Sequence, residues 1–392
     1  MRRLTVAIGE ADDVDAIGRQ WLDLQARAAG SFFQSWAWIG TWLRQLPPGT
    51  PVRCIRVDDG ARIVGLALVG LHEARRHRVL RSRQWCIAET GNPMHDALTV
   101  EHNGLLVDEQ AGGDVVGAVC AHLSGLRSAW DELVASGVDA AEVPHYERAA
   151  GQCGLWTRVR WSKPYYCVAA ADLAAAGGDY LAALSGNARY QIRRSMREYE
   201  KCGPLSITAA QSVPQAIDFF ERLIELHQGY WNARGQPGAF ACGFARAFHE
   251  ALIRSQLELG HVQLLRVAAG EQAIGYLYNF AHRGAIASYQ SGFRYSDDAK
   301  LKPGLVSHAL AIRSALASGA HSYDLLMGRQ QYKEMLATRC GEMTWLVIQQ
   351  PRLRFRLERG LGAFVARLRS LRARIDRRRA PAADRLPHSN RA

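Results

Sequence analysis

Residues 261–350 constrain this chain more than any other stretch, because their elements come in an order that few sheets can accommodate. Segments 262–268, 273–282 and 285–294 read as strands, joined only by Ala269-Gly270-Glu271 and Arg283-Gly284. Connections that short require an antiparallel meander. A polar loop from Tyr295 follows and ends in Lys300-Leu301-Lys302-Pro303-Gly304. It leads into a helix with Leu305, Leu310, Ile312, Ala315 and Leu316 as its apolar residues, closing at Gly319. Segment 321–326 is a strand, 328–333 a loop or short turn, and 344–349 a last strand before Pro351. A helix returning the chain to its sheet sets strand 321–326 parallel to the third strand. The helix N-terminus then lies beside that strand, where unpaired amides and the positive dipole end favour phosphate oxygens. Lys300 and Lys302 add charge there, and Gly304 lets the backbone approach a ligand closely.

A length of 392 residues fits two domains. The N-terminal half opens with a short strand over 3–8 and a helix capped by Asp12 or Asp13. Ser35 is placed to cap an aromatic-rich helix that ends before Pro47-Pro48. Strands 52–57 and 62–71 flank the turn Asp58-Asp59-Gly60, and helical and strand-like segments alternate to about Trp161. Segment 187–201 is a helix on which Arg189, Arg193 and Arg197 share a face, either solvated or holding phosphates. A long helix from Pro214 carries Ile217, Phe220, Leu223, Ile224 and His227 on one side, then breaks at Gly235-Gln236-Pro237-Gly238; a helix over 244–259 follows. The chain therefore divides into a first lobe over 1–165, a second over 170–350 and a tail over 351–392.

Charge separates the tail from the rest. Thirteen of the 49 basic residues lie between Arg352 and Ala392, against Glu358, Asp376 and Asp384, and the remaining 36 face 34 acidic residues. A nearly neutral body gives little support to nucleic-acid binding. The tail interleaves arginines with Leu353, Phe355, Leu357, Leu361, Phe364, Leu368 and Ile375. That pattern is a basic amphipathic helix, lying either on an anionic membrane surface or against the body. No secretory leader is legible, so a cytoplasmic protein is expected, with peripheral membrane contact through the tail. The eight cysteines are scattered singly without metal-ligand spacing, as buried free thiols would be, and no metal is expected.

The order of elements over 261–350 resembles the cofactor-binding half of a GNAT acetyltransferase. Gly304 stands where the family's glycine-rich loop begins, but Leu301 and Val306 depart from its pattern, and Lys300 or Lys302 substitutes for the basic position. A narrower resemblance rests on Pro303-Gly304-Leu305, on Gly319 with Asp324, and on Gly328 with Tyr332-Lys333. This looks like the GNAT branch associated with cellulose and exopolysaccharide biosynthesis (CelD/BcsL-like), similar to the two-lobed FemAB-type aminoacyltransferases. Phe33-Gln34-Ser35, the 187–194 segment and His227, Tyr230-Trp231 and Arg234-Gly235 agree with it.

The resemblance implies an α/β fold of two GNAT-like lobes, each a mixed, mostly antiparallel sheet flanked by helices. It implies acetyl-CoA or another acyl-CoA as co-substrate, held by Ser291, Gly292, Lys300, Lys302, Gly304, Leu305 and Ser307. The acceptor is a small molecule or glycan bound by His227, Trp231, Arg234 and Arg193. Asp324 is expected as general base, Tyr332 as the acid that protonates the leaving thiolate, and Lys333 as the oxyanion partner. Asp324 can equally cap a strand or pair with Arg329, Tyr332-Lys333 can be a surface pair, and Trp231 with His227 can belong to the core. A Ser–His–Asp hydrolase reading of Ser307 and His308 lacks a G-x-S-x-G elbow and is set aside. Transfer from aminoacyl-tRNA and a non-catalytic scaffold of a polysaccharide synthase are the alternatives.

Overall fold

The structure, a computed structural model, describes residues 4–76, 80–111, 114–174 and 177–360. Thirteen strands form one sheet. In the first half these are β1 (Thr5–Glu10), β2 (Val52–Asp58), β3 (Ile63–Arg76), β4 (Leu80–Ile87), β5 (Leu106–Val107), β6 (Glu132–Asp139) and β7 (Trp156–Ala169). In the second half they are β8 (Leu205–Ala209), β9 (Val262–Ala269), β10 (Gln272–His282), β11 (Ala285–Phe293), β12 (Ser322–Met327) and β13 (Arg339–Gln349). Their order is β1-β2-β3-β4-β6-β13-β7-β12-β11-β10-β9-β8, with β5 on β3.

That order repeats itself about its centre. In each half four strands run antiparallel to their neighbours, a helix follows, and the next strand returns parallel: β6 to β4, and β12 to β11. A second helix, Val143–Gln152 in the first half and Gln331–Leu336 in the second, then leads to a final strand that crosses over. The first half ends in β7, which pairs with β12; the second ends in β13, which pairs with β6; and β7 and β13 pair antiparallel with each other. The β13 register is fixed by polar bonds as well as the ladder. Buried Gln349 donates to Glu132 Oε1 (2.9 Å), and Ser82 and Gln84 donate to Glu132 Oε2.

The meander over 262–293, the helix Pro303–Ala317 and the parallel return of β12 agree with the sequence reading. Periodicity did not reveal the length of β7 or the early start of β13 at Arg339, and Gln331–Leu336 is a helix rather than a loop. Ser35 caps the helix Trp36–Gln45 through the Trp38 amide. That helix binds the halves together: Phe32, just before it, stacks on Phe280 of β10 with centroids 4.2 Å apart, and Trp38 packs edge-on against Phe248. On the opposite side the helices Gly186–Glu200 and Pro303–Ala317 share a second core through Ile192, Leu305, Val306 and Ile312. All eight cysteines are free thiols, but only Cys86 and Cys120 are buried; four are half-buried, and Cys202 and Cys340 are exposed. The tail expectations beyond Gly360 lie outside the described residues.

Candidate active site

The parallel pairing of β11 and β12 spans only three residue pairs, Ala285 with Ser322, Ile286 with Tyr323 and Ala287 with Asp324. The local chemistry of β12 ends it. Asp324 Oδ1 accepts from the Leu326 amide at 2.7 Å and Leu326 takes a positive φ of 61°, so beyond it only the pairing with β7 continues, at Met327. On the other side β11 bulges: Tyr278 faces Gln290 and Asn279 faces Ser288, so Tyr289 is the extra residue. A bulge re-aims the backbone around it. Between the parted strands lies a cleft of about 670 Å³.

Ser288 to Ser291 of β11 and Leu326 and Met327 of β12 line this cleft, together with His308, Tyr332 and Lys333. Its outer wall comes from His227, Tyr230 and Trp231 of the helix Val213–Asn232 and from the turn Gln236–Ala239. Two of its residues, Thr99 and Glu101, come from the other half of the chain. Glu101 Oε2 accepts from the Met327 amide at 2.7 Å, and burial pushes the carboxyl up to about 7. That value suits a base working near neutral pH. His308 is 2% exposed and neither ring nitrogen has a hydrogen-bond partner. Burial holds it neutral, with a pKa near 3, and its ring stacks on Tyr332 at 5.3 Å. Burial also keeps the Tyr332 phenol protonated well above its ordinary range.

Several expected residues meet here, and their contacts redefine what each one does. His227 bridges the Ser291 carbonyl, 3.0 Å from Nδ1, and the Ala239 amide, which donates to Nε2 at 3.2 Å. Burial lowers its pKa, so it is a neutral strut that fixes the outer wall. Trp231 lines the cleft. Arg234 does not; its guanidinium lies 3.6 Å over the Tyr230 ring and donates to the Tyr230 carbonyl. Lys333 is not a free oxyanion donor. It is 7% exposed and its Nζ donates to the Met327 carbonyl (2.7 Å) and the Leu326 carbonyl (3.3 Å).

Asp324 stands apart from the cleft lining. One of its oxygens holds the Leu326 turn and the other lies 2.8 Å from His102 Nε2, so both are engaged. Burial works to lower the His102 pKa, but Asp324 outweighs it and the net shift is upward. Ser307 is wholly buried, with its hydroxyl against Gly275 of β10, so it faces the sheet and not a cofactor. Leu305 likewise belongs to the core. Ser307, His308 and Asp324 point to three different neighbours, so no hydrolase relay forms.

Gly292 is required by packing. A Cβ there would stand 2.3 Å from the Leu223 carbonyl oxygen, which belongs to the rigid backbone of the helix Val213–Asn232. Gly292→Ala is therefore expected to cost about 1–3 kcal/mol by forcing that helix off β11, read as a shift in the urea midpoint. Gly304 approaches the Phe293 ring, 3.3 Å from an added Cβ. Lys302 precedes the helix Pro303–Ala317, whose first ladder bond runs from the Val306 amide to the Lys302 carbonyl, leaving the Gly304 and Leu305 amides ahead of the ladder. The Lys302 amide donates to Ser195 at 2.9 Å and its Nζ to Gln191, both on the helix Gly186–Glu200. Arg193 on that helix, and Lys300 in the loop, are exposed.

Sequence reasoning missed Glu101 altogether. It sits in an aperiodic loop with no motif around it, and only the tertiary fold carries it into the other half's cleft.

Comparison with known proteins agrees with this geometry. Residues 186–334 match the family described as acetyltransferase (GNAT) domain. The fold is similar to that of FemX, at 9% identity and a TM-score of 0.57, over 84% of this chain and 95% of that one. It is also similar to L-PGS from Bacillus licheniformis, at 10% identity and a TM-score of 0.52, over 86% and 92% of the two chains. A conserved protein of unknown function from Bacteroides thetaiotaomicron gives 8% identity and a TM-score of 0.52, over 85% and 97%. The chain matches none of the curated proteins. At such identities the likeness is one of fold.

Proposed function

We propose that this chain, whose residues 186–334 match a GNAT acetyltransferase domain, moves an acyl group from acyl-CoA to an amine or hydroxyl on a sugar or glycan precursor. The observation that carries the reading is the gap between β11 and β12, with a buried carboxyl of pKa about 7 and the half-buried Tyr332 phenol both lining its cleft. The acceptor nitrogen or oxygen attacks the thioester carbonyl while Glu101 takes its proton. The C–S bond breaks, and the departing thiolate takes a proton from Tyr332. The Gly304 and Leu305 amides, Lys300 and Arg193 are the groups available to the diphosphate of CoA. Trp231, Tyr230 and Tyr295 offer aromatic faces, and Gln236, Gln290, Gln330 and Gln331 offer neutral amides. That combination suits the hydroxyls and apolar faces of a sugar.

Release of free thiol from a panel of acyl-CoAs, with amino sugars and glycan fragments as acceptors, tests this. Tyr332→Phe is expected to lower kcat by about 10²-fold with KM little changed, since the phenol acts on the leaving group. Unchanged kcat removes Tyr332 from the chemistry.

A second reading has its own observation. The helix Gly186–Glu200 lies across the start of the helix Pro303–Ala317, engages Lys302, and exposes Arg193 and Arg197. That basic face would suit the polyanionic donor of an aminoacyl-tRNA-dependent transferase. Transfer from charged tRNA with no thiol released from any acyl-CoA selects it.

A further inference from the structure

Two surfaces of the body are apolar and basic at once, and neither lines the cleft. The first is on β7 and β13, at the centre of the sheet. Trp161 of β7 stacks on Trp345 of β13 with centroids 3.5 Å apart, yet Trp161 remains 39% exposed and Val159 44%. Lys163 lies 4.7 Å over the Trp161 ring, and Arg158 and Arg160 are exposed on the same strand. The second is the helix over 353–360 that follows β13. Phe355, 1% exposed, anchors it to the body under Arg76 and Arg354. Leu353 and Leu357, one turn apart, point outward at 70% and 59% exposed.

The two surfaces adjoin on β7. Arg359 of the helix donates to the Thr157 carbonyl at 3.0 Å and lies over the Trp156 ring, and Arg158 is 3.6 Å from Glu358. A soluble helix normally buries its leucine stripe and leaves its arginines in water. Here the stripe faces out, on a helix whose Arg359 reaches the strand that carries the exposed Trp161. Interfacial helices and indole rings at a headgroup boundary have this composition. The sequence continues past Gly360 for 32 residues with nine further arginines against Asp376 and Asp384.

We propose that β7, the Trp161–Trp345 stack and the Leu353–Leu357 stripe together form a docking surface for an anionic lipid bilayer. Leucine and indole enter the headgroup boundary, and the lysine and arginines meet lipid phosphates. Among the described residues no helix is long and apolar enough to cross a membrane, and this surface lies along one instead.

Sedimentation with vesicles of phosphatidylglycerol and phosphatidylcholine, against vesicles of phosphatidylcholine alone, tests it on the full chain. Binding to the anionic vesicles is expected to be at least about tenfold stronger and to weaken as salt rises. The double variant L353Q/L357Q and the double variant W161S/W345S are each expected to cut the bound fraction about tenfold. The leucines are exposed, so an unchanged melting temperature in L353Q/L357Q separates lost docking from lost folding. A chain ending at Gly360 is expected to keep its preference for the anionic vesicles. Equal binding to both vesicle types, variants that bind like the parent, or binding that vanishes on truncation at Gly360 each overturns the proposal. The last outcome would assign the lipid to the tail alone.

Discussion

Glu101→Gln is expected to lower kcat/KM by about 10²–10⁴-fold while leaving the protein at least as stable at pH 8. Glutamine keeps the oxygen that accepts the Met327 amide but cannot take a proton from an acceptor. In the parent the base is active only when ionised, so kcat/KM should rise with pH through about 7, where burial has placed this carboxyl. The variant should lose that limb. Stability responds with the opposite sign. The folded carboxyl holds its proton to about 7, whereas the ordinary value is 4.5, so its contribution is complete below 4.5 and is lost as pH climbs through 7. The loss amounts to about 3 kcal/mol at the alkaline end. Glu89, also pushed up to about 7, titrates in the same window, so the quantity to measure is the difference between parent and variant melting curves. A pH–rate profile unchanged by the substitution, or a variant less stable than the parent at pH 8, would remove Glu101 from the base position.

Lys333→Met should cost about 3 kcal/mol of stability and also move the acidic limb of the rate profile to higher pH. Two effects combine. The Met327 and Leu326 carbonyls lose their charged donor at the end of β12, each left short of a partner in a buried place. Glu101 loses the nearby positive charge that favours its ionised form, so its pKa rises further. Denaturant midpoints measure the first effect and kcat/KM against pH the second. A large stability loss with the limb left in place would mean that Lys333 holds the strand end and does nothing to the carboxyl.

The sequence made the second half legible because its signals are local. The turns at Gly270 and Gly284 impose the meander, and Pro303-Gly304 starts the helix that returns the chain beside β11. His227, Trp231, Ser291, Tyr332 and Lys333 do reach one cleft. Their roles were harder to read, since a role depends on who occupies each polar atom. The Lys333 Nζ is held between two carbonyls, and the Asp324 oxygens are engaged by Leu326 and His102. Ser307 shares its helix turn with His308, but the hundred degrees that separate neighbours on a helix send one side chain into the core and the other to the cleft. Glu101 and the crossing of β7 and β13 are products of contacts between distant parts of the chain, and no short window encodes them.

The crossed final strands have a consequence for how such a chain can change. Were each half to keep its own last strand, either one could be shed or swapped as a free-standing piece. As it is, removing one half strips the other of a ladder partner beside its parted strands and leaves bare backbone edges at β6 or β12. The second half would also lose the carboxyl that the first half lends to its cleft. Alike in outline, the two halves depend on each other as one unit.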